Sequence, residues 1–131
     1  MTAEQALADL TEISSQVEAA ALFDGKGKVS ASTLSESEPF VRAVQDLLAA
    51  AAEGRQGSVN QLEASTLAGS VFVVRDGESY IAATTGPEPT VALVFYDLKT
   101  ALRAAASAPE KKPAPRRRAP KKKPEGDGDA A

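Results

Sequence analysis

The stretch that decides the fold is residues 58–85, SVNQLEASTLAGSVFVVRDGESYIAATT, which is typical of three antiparallel strands. Its centre, residues 71–74, is apolar at four consecutive positions, whereas a strand with one face in water should alternate apolar and polar residues. Asp76 and Gly77 predict a two-residue hairpin turn, because both tolerate the positive φ that such a turn needs. Residues 67–70 predict the preceding turn. The central strand must therefore be covered on both faces.

The composition excludes several kinds of site. The chain of 131 residues contains no Cys and no His, which removes disulfides, thiolate chemistry and histidine metal ligands. We therefore expect no catalytic, cofactor-binding or metal-binding residues. No segment approaches the roughly 18 apolar residues of a membrane span, and the N-terminus lacks a basic region followed by an apolar run. These features predict a cytoplasmic, non-enzymatic protein.

The charge is divided unequally along the chain. Residues 1–108, here called the body, contain seven basic and fourteen acidic residues and have a net charge of −7. Residues 109–131, here called the tail, contain eight basic and four acidic residues and have a net charge of +4. The tail is rich in Pro and has no aromatic residue, so we expect one ordered domain followed by a disordered segment. The basic residues of the tail are Lys111, Lys112, Arg116, Arg117, Arg118, Lys121, Lys122 and Lys123.

Local signals place further elements before the three strands. Thr2 and Gln5 form the pattern of a capping box, which predicts a first helix that ends near Ser15. Residues 17–33 then predict two short strands, joined by a turn at residues 24–27. The chain therefore begins with a helix and a hairpin.

Two more helices are predicted. Ser35 and Glu38 repeat the capping pattern, Pro39 suits the first turn of a helix, and Gly54 is a natural stop. A Gly-Pro-Glu-Pro break follows the last strand, and Thr90 predicts the start of the third helix. The apolar stripes expected to face the sheet are Ala3, Ala6, Leu7, Leu10 and Ile13 in the first helix and Val91, Val94, Phe95, Leu98, Ala101, Leu102 and Ala105 in the third.

The resulting order is helix, two strands, helix, three strands, helix. We therefore predict an α+β fold with three layers, in which a five-stranded antiparallel sheet carries helices on both faces. The domain is expected to span residues 1–108.

The second helix has two different faces. Its apolar arc comprises Phe40, Val41, Val44, Leu47, Leu48, Ala51 and Ala52, and the opposite arc comprises Arg42, Ala43, Gln45, Asp46, Ala49, Ala50 and Glu53. The opposite arc is rich in Ala. Helix propensity alone can explain these alanines, but they also allow a second helix to approach closely.

The order and residues of these elements resemble the roadblock family, which includes dynein light chains and bacterial GTPase regulators. The resemblance covers residues 4–106. It rests on the leading helix ALADLTEI, the strand and turn AAALFDGKGKVSAST, the helix FVRAVQDLLAAAAEG, the strand QLEAST, the hairpin VFVVRDGESYIAATT and the final helix VALVFYDLKTALRA. Profilin-like and longin-like domains share parts of this architecture.

The resemblance implies a homodimer in which the second helices lie side by side and the first strand of the meander, residues 59–65, pairs with its copy. It also implies binding of a small Ras-like GTPase without any catalytic contribution. The residues assigned to the dimer interface are Ala43, Ala50, Val59, Gln61 and Glu63, and those assigned to partner binding are Arg42, Gln45, Asp46, Ala49 and Glu53.

Two other functions stay open at this point. The basic tail resembles arms that bind nucleic acid without sequence preference, and its charges also suit an anionic membrane surface or the acidic body itself. The chain is then either a GTPase regulator or scaffold, a dimeric nucleic-acid-associated protein, or an adaptor in a larger assembly.

Overall fold

A computed structural model of the protein describes residues 2–106. The elements follow the predicted order of helices and strands. They are α1 Ala3–Ile13, β1 Val17–Asp24, β2 Val29–Ser32, α2 Ser37–Arg55, β3 Gln61–Thr66, β4 Gly69–Asp76, β5 Ser79–Thr85 and α3 Val91–Ala106. The tail lies outside the described residues, so the prediction of disorder there stays a prediction.

The five strands form one antiparallel sheet in the order β2-β1-β5-β4-β3. The apolar strand β4 therefore lies inside the sheet, and the polar strand β3 lies at one edge. Asp76 pairs with Ser79, so the two-residue turn between β4 and β5 is Gly77 and Glu78, and Gly77 has a φ of 64° there. The prediction that Asp76 shares the turn with Gly77 is wrong, because β4 continues through Asp76. The predicted meander and its edge strand are confirmed.

Helices α1 and α3 cover one face of the sheet, here called the α1/α3 face. Phe72 and Ile81 of the sheet pack with Leu10 of α1 and Leu98 of α3 in a buried apolar cluster. The Phe72 ring meets Phe95 edge to face with a centroid separation of 5.0 Å. This face contains the larger core of the domain.

Helix α2 covers the other face, here called the α2 face, and it packs mainly on β1 and β2. Val41 and Val44 of α2 are buried against Phe23 and Val73. The prediction that both faces of β4 are covered is confirmed, although the cover on the α2 face is smaller.

The two capping predictions have different outcomes. Thr2 Oγ1 accepts a hydrogen bond from the Gln5 N–H, and Gln5 Oε1 accepts one from the Thr2 N–H, so α1 begins with the predicted capping box. The prediction for α2 is wrong, because its N-cap is Glu36, which makes no side-chain capping bond. Pro39 then stands at the third helical position, where it has no N–H for a capping side chain to bind.

The end of α2 and two exposed side chains also differ from the predictions. The helix continues through Gly54 to Arg55, and Gln56 takes the left-handed conformation with φ 57° and ψ 48°. Ile13 and Val91 were expected to be buried, but they are 73% and 42% exposed. Ile13 is the last residue of α1 and Val91 is the first residue of α3.

Candidate interaction surface on helix α2 and strand β3

The arc of α2 that faces away from the sheet is open to solvent in the single chain. Its exposed residues are Arg42, Ala43, Asp46, Ala49, Ala50 and Glu53. Val41 and Val44, on the opposite arc, are each only 2% exposed. The structure therefore brings these predicted residues to one accessible surface.

Gln45 is the exception on this arc, because it is half-buried. A Cβ built on Gly27 would lie 2.9 Å from Gln45 Nε2, so the Gln45 side chain lies directly over the β1–β2 turn. Gly27 has a φ of 87° there, which a glycine adopts without strain. Gln45 therefore packs on its own chain as well as bordering the exposed surface.

The turn under Gln45 is held by Asp24. The Lys28 and Lys26 backbone N–H groups donate to Asp24 Oδ1 at 3.0 and 2.9 Å. These bonds, with the Lys28 bond the larger cause, hold the pKa of Asp24 below its ordinary value of 3.8. The Asp24 carboxylate therefore stabilises the turn. This structural role accounts for its lowered pKa without a catalytic role.

Strand β3 divides its side chains between the two faces of the sheet. Leu62 lies opposite Val73 and Ala64 lies opposite Val71, which places both on the α2 face. Gln61 and Glu63, which were assigned to the dimer interface, lie opposite Val74 and Phe72. They therefore belong to the α1/α3 face.

The α2 face of β3 and β4 is only partly covered. Leu62, Ala64 and Val71 are half-buried there, whereas Phe72 and Val74 on the other face are 0% and 3% exposed. Sequence reasoning missed this apolar strip, although the alternation of Leu62 and Ala64 with polar residues was a usable signal. The register between β3 and β4 determines on which face Leu62 and Ala64 lie. The turn at residues 67–68 sets this register.

An open cleft of about 300 Å³ lies between α2 and the segment that precedes β3. It is lined by Leu48, Ala49, Ala52, Ser58, Val59, Arg75 and Tyr80. Val59 lies before β3, which begins at Gln61, so the predicted strand of residues 59–65 is shifted by two residues at its start. Tyr80, which lines the cleft, stacks on Phe23 with a centroid separation of 5.3 Å.

The edge of β3 that faces away from β4 has no neighbouring strand within the described residues. Its ladder to β4 extends from Gln61 to Thr66, and the Asn60 carbonyl adds a bond to the Arg75 N–H at 2.8 Å. Glu63 accepts a hydrogen bond from Ser65. The free edge presents backbone donors and acceptors that can pair with another strand.

The described residues include no group of three or more His, Cys, Asp or Glu side chains that could hold a metal ion. None of the helices between residues 2 and 106 is both long and apolar enough to cross a membrane. The predicted polyanion contacts of the tail lie outside the described residues. Within residues 2–106, α2, β3 and β4 present small side chains, an apolar strip and a strand edge at one surface.

Comparisons with known proteins find similarity in structure alone. No protein-family model and no curated protein sequence matches the chain. A Roadblock/LC7 domain from Streptomyces avermitilis superposes with a TM-score of 0.71 at 15% identity, covering 81% of this chain and 96% of that one. The gliding protein MglB from Thermus thermophilus gives a TM-score of 0.69 at 16% identity and covers 79% of this chain and 85% of that one.

A profilin solved with rabbit actin, LokiProfilin2, is also similar, with a TM-score of 0.59 at 12% identity over 80% of this chain and 96% of that one. The Roadblock/LC7 domain and MglB therefore superpose better than this profilin. At these identities the similarity establishes the fold and leaves the site residues as predictions. The chain has the roadblock fold, a three-layer domain with an antiparallel sheet between α2 and the pair α1 and α3.

Proposed function

We propose that this protein is a non-catalytic, homodimeric regulator or scaffold of a small Ras-like GTPase, and that it acts through α2 and β3. The observation that carries the proposal is the incomplete cover of the α2 face. An apolar strip of Leu62, Ala64 and Val71 lies beside an exposed, Ala-rich helix and a free strand edge.

We infer a dimer because a second copy of the chain would complete the cover of the α2 face. A second copy of the chain would bring another α2 with small side chains at Ala43 and Ala50, which allow two helices to lie close together. The strip would then be removed from water, and each Å² of apolar surface buried contributes about 25 cal/mol. Pairing of two β3 edges would satisfy the backbone groups left free there.

The GTPase is the partner that the resemblance to bacterial roadblock regulators implies. In a dimer built on paired α2 helices, the charged residues Arg42, Asp46 and Glu53 of both copies would lie around one shared surface. Charges of both signs at an interface determine the orientation in which a partner binds and its rate of association more than they increase the affinity. We therefore assign recognition of the GTPase to this surface.

Affinity capture on the full chain tests the proposal. Nuclease-treated lysate of the source organism is divided between GDP and a non-hydrolysable GTP analogue, and the captured proteins are identified by mass spectrometry. We expect a small GTPase whose recovery depends on the nucleotide. Arg42→Glu should abolish its capture, whereas the control Arg103→Glu, an equal charge change on the exposed side of α3, should not. Equal recovery with both variants would contradict the assignment to α2.

A second candidate function rests on the eight basic residues of the tail. If they bind nucleic acid, the logarithm of the affinity should fall with the logarithm of the salt concentration with a slope of about −7, from about −0.9 per phosphate contact. Deletion of residues 109–131 should then abolish DNA binding while GTPase capture persists. DNA binding that survives the deletion would exclude the tail as its cause.

A further inference from the structure

The acidic residues of the body are not spread evenly over the fold. Val17 pairs with Thr85, and Thr85 pairs with Ser70, so the starts of β1 and β4 and the end of β5 meet at one end of the sheet. The Thr90 N–H donates to Gln16 Oε1 at 2.6 Å, which joins the segments before β1 and α3 at the same place.

Helix α1 ends at Ile13, just before β1 begins at this end of the sheet. The Thr33 N–H donates to the Ala20 carbonyl, so the chain leaves β2 toward this end before α2 begins. We call this region the acidic end.

Four segments form the acidic end: residues 9–20, 30–40, 64–72 and 83–97. They contain seven carboxylates and no Lys or Arg, namely Asp9, Glu12, Glu18, Glu36, Glu38, Glu88 and Asp97. The rest of the described chain contains the other seven carboxylates and all seven basic residues of the body. The net charge of −7 is therefore concentrated at this end.

The large apolar side chains that are exposed in residues 2–106 lie in the same segments. They are Ile13 at 73%, Leu67 at 99%, Val91 at 42%, Leu93 at 49% and Tyr96 at 67% exposure. Ile13 and Tyr96 line one groove between α1 and α3, together with Asp9 and Asp97. An acidic surface with exposed apolar groups is suited to a basic segment whose side chains carry methylene stems.

The buried Ser14 hydroxyl adds a separate observation at this end. Ser14 is 4% exposed, and its Oγ has no hydrogen-bond partner among the described residues. A buried hydroxyl without a partner destabilises the folded chain. The acidic end therefore contains an unpaired polar group as well as uncovered apolar ones.

We propose that the tail of the same chain, residues 109–131, docks on the acidic end. Its net charge of +4 is opposite to the −7 of this end, and attachment to the domain gives it an effective concentration of the order of mM. Glu12, Glu18 and Glu88 of the acidic end lie on neither α2 nor β3, so this proposal can be tested separately from the GTPase proposal.

The tail is long enough for this contact. Helix α3 has 16 residues, so it spans about 24 Å at 1.5 Å per residue, from the acidic end to Ala106. Arg116 is ten residues beyond Ala106, and ten residues can span up to about 33 Å. The basic cluster of residues 116–118 can therefore return along α3 to the acidic end.

A spin label on the full chain tests the contact directly. Because the sequence contains no Cys, Ala119→Cys creates a single attachment site beside the arginine cluster. With a nitroxide attached at low salt, we expect loss of amide NMR signals in residues 12–18 and 86–93. The signals should return at 1 M salt, where the screening length falls from about 8 Å at 0.15 M to about 3 Å.

Two matched variants assign the contact to charge. Glu12→Gln, Glu18→Gln and Glu88→Gln together should restore the signals, since they remove three exposed charges from the acidic end. Glu4→Gln, Asp76→Asn and Glu78→Gln remove three exposed charges elsewhere and should leave the signal loss unchanged. Signal loss that is absent, is spread evenly over residues 2–106, or responds equally to both triple variants would overturn the proposal.

Discussion

The two faces of the sheet use the same strands but reach different degrees of burial. On the α1/α3 face, Phe72 and Val74 are at most 3% exposed. On the α2 face, Val71 of the same strand is half-buried, and so are Leu62 and Ala64 of β3. The α1/α3 face is a fully covered core, whereas the α2 face needs a further surface to cover it. The free energy of unfolding should therefore depend on the α1/α3 face, and association should depend on the α2 face.

The largest expected effect on stability is on the α1/α3 face. Phe72→Ala removes a ring that is 0% exposed and packs on Phe95. We expect the free energy of unfolding to fall by about 3–5 kcal/mol. Denaturant unfolding at fixed protein concentration measures this loss. A loss below about 1 kcal/mol would mean that the α1/α3 face is not the main core.

A matched pair on β4 compares the faces with the same chemical change. Val74→Ala, on the α1/α3 face, should cost about 2 kcal/mol from two lost methyl groups and the cavity they leave. Val71→Ala, on the α2 face, should cost less in dilute solution, and its cost should increase with protein concentration because binding stabilises the folded form. Equal, concentration-independent losses would remove the distinction between the faces.

The helices on the two faces also begin differently, which predicts a smaller difference. Thr2→Ala removes the capping box of α1 and should cost about 1 kcal/mol. Glu36→Ala should cost less, since Glu36 makes no side-chain capping bond to α2. Thermal unfolding of the two variants measures both changes, and the reverse order would contradict the assignment of the caps.

The smallest effect concerns the β1–β2 turn and depends on pH. The pKa of Asp24 is held below 3.8 in the folded chain by backbone hydrogen bonds, so its stabilising contribution is present above that value and is lost as the pH falls through the lowered pKa. Asp24→Asn should therefore be less stable than the parent chain at neutral pH and equal to it in strong acid. A difference that is constant with pH would exclude this cause.

Most of the fold could be predicted from local signals in the sequence. The capping pair Thr2 and Gln5 and the four apolar residues of β4 each depend on a few neighbouring residues, and each is confirmed. The hairpin between β4 and β5 is also confirmed, but its turn lies one residue later than predicted, because β4 includes Asp76. The second capping box failed because the helix began one residue later than the pattern implied, which placed Pro39 where an N–H was needed.

The candidate site was harder to predict because it depends on register between distant residues. The exposed alanines of α2 follow from helical periodicity within one element. The membership of Leu62 and Ala64 in the α2 face, and of Gln61 and Glu63 in the other, is fixed only when β3 pairs with β4. A shift of one residue would exchange the two sets.

The mass of the full chain in solution tests the central claim most directly. One chain has a mass of 13.5 kDa, and light scattering at micromolar concentration should give twice that value. Ala50→Arg on α2 should reduce the mass to one chain, whereas the control Ala8→Arg, also at an exposed helical alanine, should leave it at two. A parent chain with the mass of one copy would contradict the proposal that a second copy completes the α2 face.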